Sequence, residues 1–176
     1  MTEQMQDNAA GIGNQAAQIE MKMRLEGQLG GGASWFYWIA ALSLINSILF
    51  MTGSTIGFIF GLGITQVFDG IGGELSEEMG TIAKVVAFAF NCLIAGVYGV
   101  FGVFSHKRYT AVFITGLLFY GLDGLLCLLA QDWFSVAFHA FAGFSIFKGM
   151  QAGMQLNQLE AVPAQPAAGG NSCGPE

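Results

Sequence analysis

Charged side chains are scarce in this chain. Asp, Glu, Lys and Arg make up 10% of its 176 residues, whereas 53% are hydrophobic. An ordinary soluble domain carries roughly 25% charged residues, and a chain of this size cannot bury so much apolar surface in one water-soluble core. The composition therefore predicts a membrane protein whose remaining apolar surface is covered by lipid.

Proline and cysteine are also rare, and their positions limit the possible functions. All three prolines lie after residue 157, among Ala, Gly, Gln and Asn, which predicts a disordered cytoplasmic tail over 157–176. Cys92, Cys127 and Cys173 show neither the spacing of metal ligands nor a disulfide framework. We therefore predict no metal and no cofactor, and expect Cys92 and Cys127 to act as small apolar residues.

Several sequence features of other protein classes are absent as well. The chain has no glycine-rich phosphate loop, dinucleotide fingerprint or haem motif, and its net charge of −6 argues against binding nucleic acid. Met1 is followed by Glu3 and Asp7 rather than by a basic stretch and a short apolar core, so we expect no signal peptide. The predicted partners are the lipid bilayer and either another protein or a second copy of the chain.

Four apolar stretches have the length of a membrane-spanning helix. About 20 helical residues cross roughly 30 Å of hydrocarbon, and the stretches are Trp35 to Thr52, Ile82 to Phe104, Thr110 to Ala130, and Phe134 to about Leu156. The sequence therefore predicts an all-α, polytopic domain of four transmembrane helices over residues 34–156. A fifth stretch, Ile56 to Phe68, has about 13 residues and is short for a crossing.

The distribution of charge favours four crossings over five. With four, five of the six basic residues fall on one side of the membrane: Lys22, Arg24, Lys107, Arg108 and Lys148. The other side holds Lys84 and five acidic residues: Asp69, Glu74, Glu77, Glu78 and Asp132. Because Lys and Arg are enriched on the cytoplasmic side, we expect a multi-pass protein of the cell inner membrane with both termini in the cytoplasm.

The short stretch Ile56 to Phe68 is expected to form a re-entrant or interfacial helix on the outer side. Three glycines spaced by four would give it a smooth face for packing on a neighbouring helix; they are Gly53, Gly57 and Gly61. Asp69 then either ends this helix or places a charge in an outer vestibule. The next glycines predict a loop; they are Gly70, Gly72 and Gly73.

Each predicted transmembrane helix carries one polar residue near mid-depth. Counted at about 1.5 Å per residue, these side chains lie about 8 to 14 Å from the outer helix ends. They are Asn46, Asn91, Asp123 and His139. We therefore predict an intramembrane polar layer that faces the interior of the bundle, in which the two asparagines chiefly link helices by hydrogen bonds.

Asp123 and His139 are the strongest pair in this polar layer. A tight turn at Gln131-Asp132-Trp133 predicts an antiparallel hairpin that places the two side chains at similar height. A carboxylate inside a membrane marks a functional site by default, and a carboxylate–histidine pair can relay protons or bind a cation. The same pair can equally hold the two helices together.

Glycines on the predicted second and fourth helices favour close helix packing. They are Gly96, Gly99, Gly102, Gly143, Gly149 and Gly153. Small residues let helices approach where lipid provides no hydrophobic drive. The sequence leaves open whether these glycines pack inside one bundle or form a surface for self-association.

Two aspartates, Asp69 and Asp123, raise the question of catalysis. The segment Tyr120-Gly121-Leu122-Asp123-Gly124 lacks the Gly-Leu-Gly-Asp order of the aspartyl intramembrane proteases. The second aspartate, Asp69, does not lie on a convincing spanning helix. The chain is therefore predicted not to be an enzyme, with intramembrane aspartyl chemistry as the remote exception.

The first 33 residues are predicted to be a polar cytoplasmic segment with a weakly amphipathic helix. Its apolar side chains recur at helical spacing before a hinge at Gly30-Gly31-Gly32; they are Ile12, Ala16, Ile19 and Met23. We expect this helix to contact a soluble partner or the membrane surface.

Two functions follow from these features. The first is a structural or accessory subunit of a larger membrane assembly, with the polar layer and the glycines serving helix packing. The second is a small oligomeric channel or transporter that passes protons or a cation along Asp123 and His139.

Overall fold

The computed structural model describes residues 2–52 and 62–161, which form five helices. They are α1 (Thr2–Met51), α2 (Gly63–Met79), α3 (Thr81–His106), α4 (Thr110–Leu129) and α5 (Trp133–Ala161). This all-helical architecture confirms the predicted fold class. Two expectations fall outside the described residues, namely the glycines at 53, 57 and 61 and the tail over 162–176.

Three of the helices are long and apolar enough to cross a membrane. They are α3, α4 and a stretch of α1 that ends at Met51. This finding is compatible with an integral membrane protein. The fourth predicted crossing, on α5, is not confirmed, because the second half of this helix is rich in Gln and also contains Lys148.

The longest helix, α1, packs antiparallel on α5 where two glycines meet. A Cβ at Gly32 would lie only 2.5 Å from the Gly149 Cα, so the two backbones touch with no room for a side chain. The predicted hinge at Gly30-Gly31-Gly32 is therefore wrong, since α1 runs through it without a break. The role of Gly32 is to let α1 and α5 approach closely, and it does not bend the chain.

The second helix, α2, differs from the short helix expected at Ile56 to Phe68. It begins at Gly63 and continues to Met79, so Asp69 lies in its interior and does not end it. The predicted loop at Gly70, Gly72 and Gly73 is also wrong. A Cβ at Gly72 would lie 2.7 Å from the Ala87 Cβ on α3, so this glycine allows two helices to approach.

The direction of α2 follows from its contacts with α1 and α3. The Leu62 N–H lies 3.0 Å from the Ser43 hydroxyl, and Asp69 contacts Ser47, so α2 runs parallel to the end of α1. A turn at Gly80, whose φ of 67° favours glycine, then reverses the chain into α3. As a result α2 starts deep inside the bundle beside Ser43.

The glycines of α3 divide between the interior and the surface. Gly102 packs against the Tyr37 ring, where an added Cβ would lie 2.7 Å away. A Cβ at Gly96 or Gly99 would have no neighbour within 4 Å. Of the two alternatives that the sequence left open, packing inside the bundle fits Gly102, whereas Gly96 and Gly99 leave a smooth outer face.

Charged side chains join α1, α5 and the α3–α4 connection at one end of the bundle. Arg108 contacts Glu160 at 2.7 Å and Glu26 at 3.3 Å, and Lys22 contacts Glu160 at 3.3 Å. The Arg108 hydrogen bond holds the pKa of the Glu160 carboxyl below its usual range. They lie at the last turns of α5, which is helical to Ala161 and so extends beyond the predicted tail boundary at residue 157.

Gly32 provides a direct test of the α1–α5 contact. We expect Gly32→Ala to lower the free energy of unfolding by about 1 to 3 kcal/mol, because the methyl group must push two backbones apart. Gly31→Ala is the matched control, since its Cβ would have no neighbour within 4 Å. It should leave stability unchanged or raise it by up to about 1 kcal/mol. Unfolding midpoints in detergent check this, and equal midpoints for both variants would contradict the contact.

Candidate functional site: a buried carboxylate at the start of α2

The first turn of α2 needs hydrogen-bond acceptors, because a helix start leaves several N–H groups without intrahelical partners. Leu62 precedes the helix and its side chain forms no cap. Asp123 on α4 takes this role from a distance of 60 residues along the chain. Its Oδ2 accepts the Gly63 N–H and its Oδ1 accepts the Ile64 N–H, each at 2.8 Å.

Asp123 is 4% exposed and has a third partner on α5. The His139 Nε2 lies 2.8 Å from the Asp123 Oδ2, which places together the two residues that the sequence analysis paired. The turn between α4 and α5 uses Gln131 at a φ of 58° and sets this register. A Cβ at Gly124 would lie 3.1 Å from the His139 Cβ, so Gly124 gives the histidine room.

The second ring nitrogen of His139 fixes the protonation pattern of the pair. The Nδ1 lies 2.7 Å from the Ser135 carbonyl oxygen, which can only accept, so Nδ1 carries a hydrogen. The opposite nitrogen, Nε2, faces a carboxylate oxygen, and two acceptors at 2.8 Å would repel each other. One further proton therefore lies between His139 and Asp123.

A chain of polar contacts connects His139 to the exposed α4–α5 turn. Asp132 accepts hydrogen bonds from the Ser135 hydroxyl and from the Ser135 N–H, and so caps the start of α5. The hydroxyl contact holds the pKa of the Asp132 carboxyl below its usual range. Ser135 in turn accepts the His139 Nδ1–H through its carbonyl group, so the cap of α5 also orients the imidazole.

The polar layer predicted from the sequence divides into two clusters. Asn91 does not contact Asp123; instead its side-chain amide donates to Asp69 at 2.8 Å and to Ser47 at 2.7 Å. The Ser47 hydroxyl donates to Asp69 at 2.8 Å as well. Asn46 is buried on α1 between Ser43 and Ser47. The hydrogen bonds form two networks: Asp123 binds the start of α2 and His139 on α5, whereas Asp69, further along α2, bonds to Ser47 of α1 and Asn91 of α3.

Asp69 lies in the interior of the bundle. It is 4% exposed, and within residues 2–52 and 62–161 no Lys, Arg or His forms an ion pair with it. Its partners are the neutral groups of Ser47 and Asn91. Asp69 and Asp123 sit in separate hydrogen-bond networks, which gives no support to a catalytic aspartate dyad.

Cys127 belongs to the Asp123 site, although the sequence analysis assigned it to apolar packing. One ligand atom from each of Asp123, Cys127 and His139 lies within 4.8 Å of the other two, and all three residues are buried. Cys127 follows Asp123 by four residues, so both lie on one face of α4. That spacing was the available signal. Cys92, by contrast, is exposed on α3.

A groove of about 440 Å³ lies between α3 and α4 next to Asp123. Apart from Tyr98 and Asp123 its described lining is apolar: Ile64, Leu93, Ile94, Val97, Phe101, Phe119, Leu122, Leu125 and Leu126. Tyr120 lies on the other side of the site, where its ring stacks on His139 with centroids 4.5 Å apart. Its hydroxyl is buried and has no hydrogen-bond partner among the described residues.

Asp123→Asn tests whether this carboxylate holds the start of α2. An amide offers one acceptor oxygen in place of two, so one α2 N–H would face an NH₂ group, and the ion pair with His139 would be lost. We expect the free energy of unfolding to fall by about 3 kcal/mol, measured as a lower unfolding midpoint in detergent. Glu77→Gln, at an exposed position of α2, should leave the midpoint unchanged. An unchanged midpoint for Asp123→Asn would contradict the capping role.

Comparison with known proteins adds no family to these observations. No family model, no curated protein and no solved structure matches the chain. The contacts of the described residues therefore carry the assignment of function.

Proposed function

We propose that the chain is an accessory subunit of a larger membrane assembly, anchored by four membrane-spanning helices. In this arrangement α1, α3, α4 and α5 cross the bilayer. The apolar character of α1, α3 and α4 supports this. The antiparallel packing of α5 on α1 supports the fourth crossing, because a helix that follows a spanning helix along its length shares its depth.

In the same proposal α2 is a re-entrant helix. Its start lies beside Ser43, eight residues before the end of α1, which corresponds to a depth of roughly 12 Å. From there it runs parallel to α1 towards the turn at Gly80. Bare N–H groups at that depth would cost several kcal/mol each, and Asp123 supplies the acceptors that make this start tolerable.

The charged groups suggest how the protein is oriented. Lys22 and Arg108 meet at one end of the bundle, whereas Asp132 lies in the connection at the other end of α4. Lys and Arg are enriched in cytoplasmic loops. We therefore assign the end of the bundle with Arg108 to the cytoplasmic side of the cell inner membrane. The start of α1 and the end of α5 then both lie in the cytoplasm.

The observation that carries the accessory role is the first part of α1. Residues 2–24 continue α1 past the bundle, and their described side chains are exposed. The apolar residues recur at alternating intervals of four and three, which is the spacing of a coiled-coil seam. They are Met5, Ala9, Ile12, Ala16, Ile19 and Met23, and we call them the α1 seam. A helix of a partner protein with the same spacing fits such a seam.

The site itself favours an anchoring role over transport. The three hydrogen bonds of Asp123 described above all hold helices together, since its partners are two N–H groups of α2 and the imidazole of α5. The adjacent groove is largely apolar, and among its described lining residues Asp123 carries the only charge. A conducting path needs hydrated polar groups in succession, so this arrangement gives less support to a channel or transporter for protons or cations.

Paired substitutions in the α1 seam test the accessory role. We expect Ile12→Glu with Ile19→Glu to release the protein from its native complex, because two charges would be buried in the seam. The complex would be measured by native electrophoresis of mildly solubilised membranes, with the purified protein as the size standard for the chain alone.

Ala10→Glu with Ala17→Glu is the matched control. It adds the same two charges at the same spacing at exposed positions of α1 that face away from the α1 seam, and should leave the native complex intact. Wild-type protein that migrates at the size of the purified chain would contradict the proposal, and so would a complex that survives the substitutions at Ile12 and Ile19. A purified chain that already forms a dimer lost on these substitutions would instead identify a second copy as the partner.

A further inference from the structure

We propose that Asp123, Cys127 and His139 form a binding site for a divalent transition-metal ion of the Zn²⁺ class inside the helix bundle. The three side chains offer one oxygen, one sulfur and one nitrogen ligand from two adjacent helices. This inference is independent of the accessory role, because a bound metal is compatible with either function.

The distances among the ligand atoms suit a tetrahedral metal. Bonds of about 2.0 to 2.3 Å to nitrogen, oxygen and sulfur place tetrahedral ligand atoms about 3.3 to 3.6 Å apart. In the structure these atoms all lie within 4.8 Å of one another, and the shortest pair, His139 Nε2 to Asp123 Oδ2, is 2.8 Å apart. Binding requires that the His139–Asp123 pair open by about half an ångström and that the Cys127 sulfur move inward by up to about 1.5 Å.

The outer contacts of two of the three residues, His139 and Asp123, match those of metal ligands. A histidine ligand almost always donates its second ring N–H to a carbonyl or carboxylate, which fixes the ring orientation. His139 does so, since its Nδ1–H points at the Ser135 carbonyl and leaves Nε2 facing the site. Carboxylate ligands are likewise held by hydrogen bonds, and Asp123 accepts two backbone N–H groups of α2.

The site can exchange two protons for a divalent ion without a change in net charge, which an apolar bundle requires. Before binding, an Asp123 carboxylate, a protonated His139 and a Cys127 thiol sum to zero. A divalent ion displaces the proton between His139 and Asp123 and the thiol proton, and both protons leave to solvent. The carboxylate, the thiolate, the neutral imidazole and the ion again sum to zero, so binding places no net charge in a low-dielectric interior.

The ligand set selects the class of metal. Thiolate and imidazole donors suit Zn²⁺ and related ions, whereas Mg²⁺ and Ca²⁺ require oxygen ligands. Three protein ligands leave one position of a tetrahedron for a small molecule. The Tyr120 ring stacks on His139, and the buried Tyr120 hydroxyl has no hydrogen-bond partner among the described residues.

Co²⁺ is the spectroscopic probe for this site, because a thiolate–Co²⁺ bond gives a near-ultraviolet charge-transfer band and tetrahedral Co²⁺ gives strong visible bands. The experiment uses the full-length chain in detergent, first stripped with a chelator. We expect one Co²⁺ per chain with both sets of bands. Zn²⁺ should displace it, and Mg²⁺ and Ca²⁺ in large excess should not.

The cysteines of the chain provide matched controls. Cys127→Ser should abolish the charge-transfer band and weaken Zn²⁺ binding by at least about 100-fold, since loss of an outer-shell contact alone costs 10- to 100-fold. Cys92→Ser with Cys173→Ser leaves Cys127 as the one cysteine and should keep both the band and the affinity. Far-ultraviolet circular dichroism and gel filtration would show that each variant is folded.

Two results would overturn the proposal. One is a wild-type protein that gives no thiolate–Co²⁺ band at saturating Co²⁺. The other is a folded Cys127→Ser variant that binds Zn²⁺ as tightly as the wild type. Alkylation provides a further check that needs no change at Cys127: bound Zn²⁺ should protect the Cys127 thiol in the variant that lacks Cys92 and Cys173, and equal rates with and without Zn²⁺ would be a third contradicting result.

Discussion

The hydrogen bonds from the first turn of α2 to Asp123 are the constraint around which the bundle is arranged. A helix that starts inside an apolar bundle exposes N–H groups that water cannot reach, and their desolvation is costly. A carboxylate is well suited to this position, because it offers several acceptor sites and a negative charge at the positive end of a helix. The negative charge of Asp123 also needs a partner, and His139 provides it, with its Nε2 2.8 Å from the Asp123 Oδ2.

The predictable part of this site was the part fixed by local geometry. The pairing of Asp123 with His139 followed from a short turn, since a hairpin sets the register of its two helices. The role of Cys127 did not follow, because its four-residue spacing from Asp123 acquires meaning only when His139 is placed against both. The start of α2 was equally hidden, because its acceptor lies 60 residues away in the sequence.

Glycine was the main source of error in predicting the fold. The sequence pattern predicted a hinge at Gly30 to Gly32 and a loop at Gly70 to Gly73, which are the usual roles of glycine in water-soluble proteins. In this bundle Gly32 and Gly72 lie in uninterrupted helices and allow backbones to touch. A local sequence pattern cannot separate these roles, because the difference depends on a helix elsewhere in the chain. For Gly96 and Gly99 the sequence left internal packing and self-association open, and within the described bundle a Cβ at either position would meet no neighbour within 4 Å.

The unbroken course of α1 has a mechanical consequence. A helix without a flexible joint behaves as a rigid rod, and the α1 residue Ser43, which contacts Leu62 at the start of α2, lies roughly 57 Å from Met5 along the axis. A tilt of about 5° at Ser43 would swing the far end of the rod by about 5 Å. The contacts of α5 with Gly32 and Lys22 oppose such a tilt, so the rod holds the α1 seam in a fixed direction relative to the start of α2.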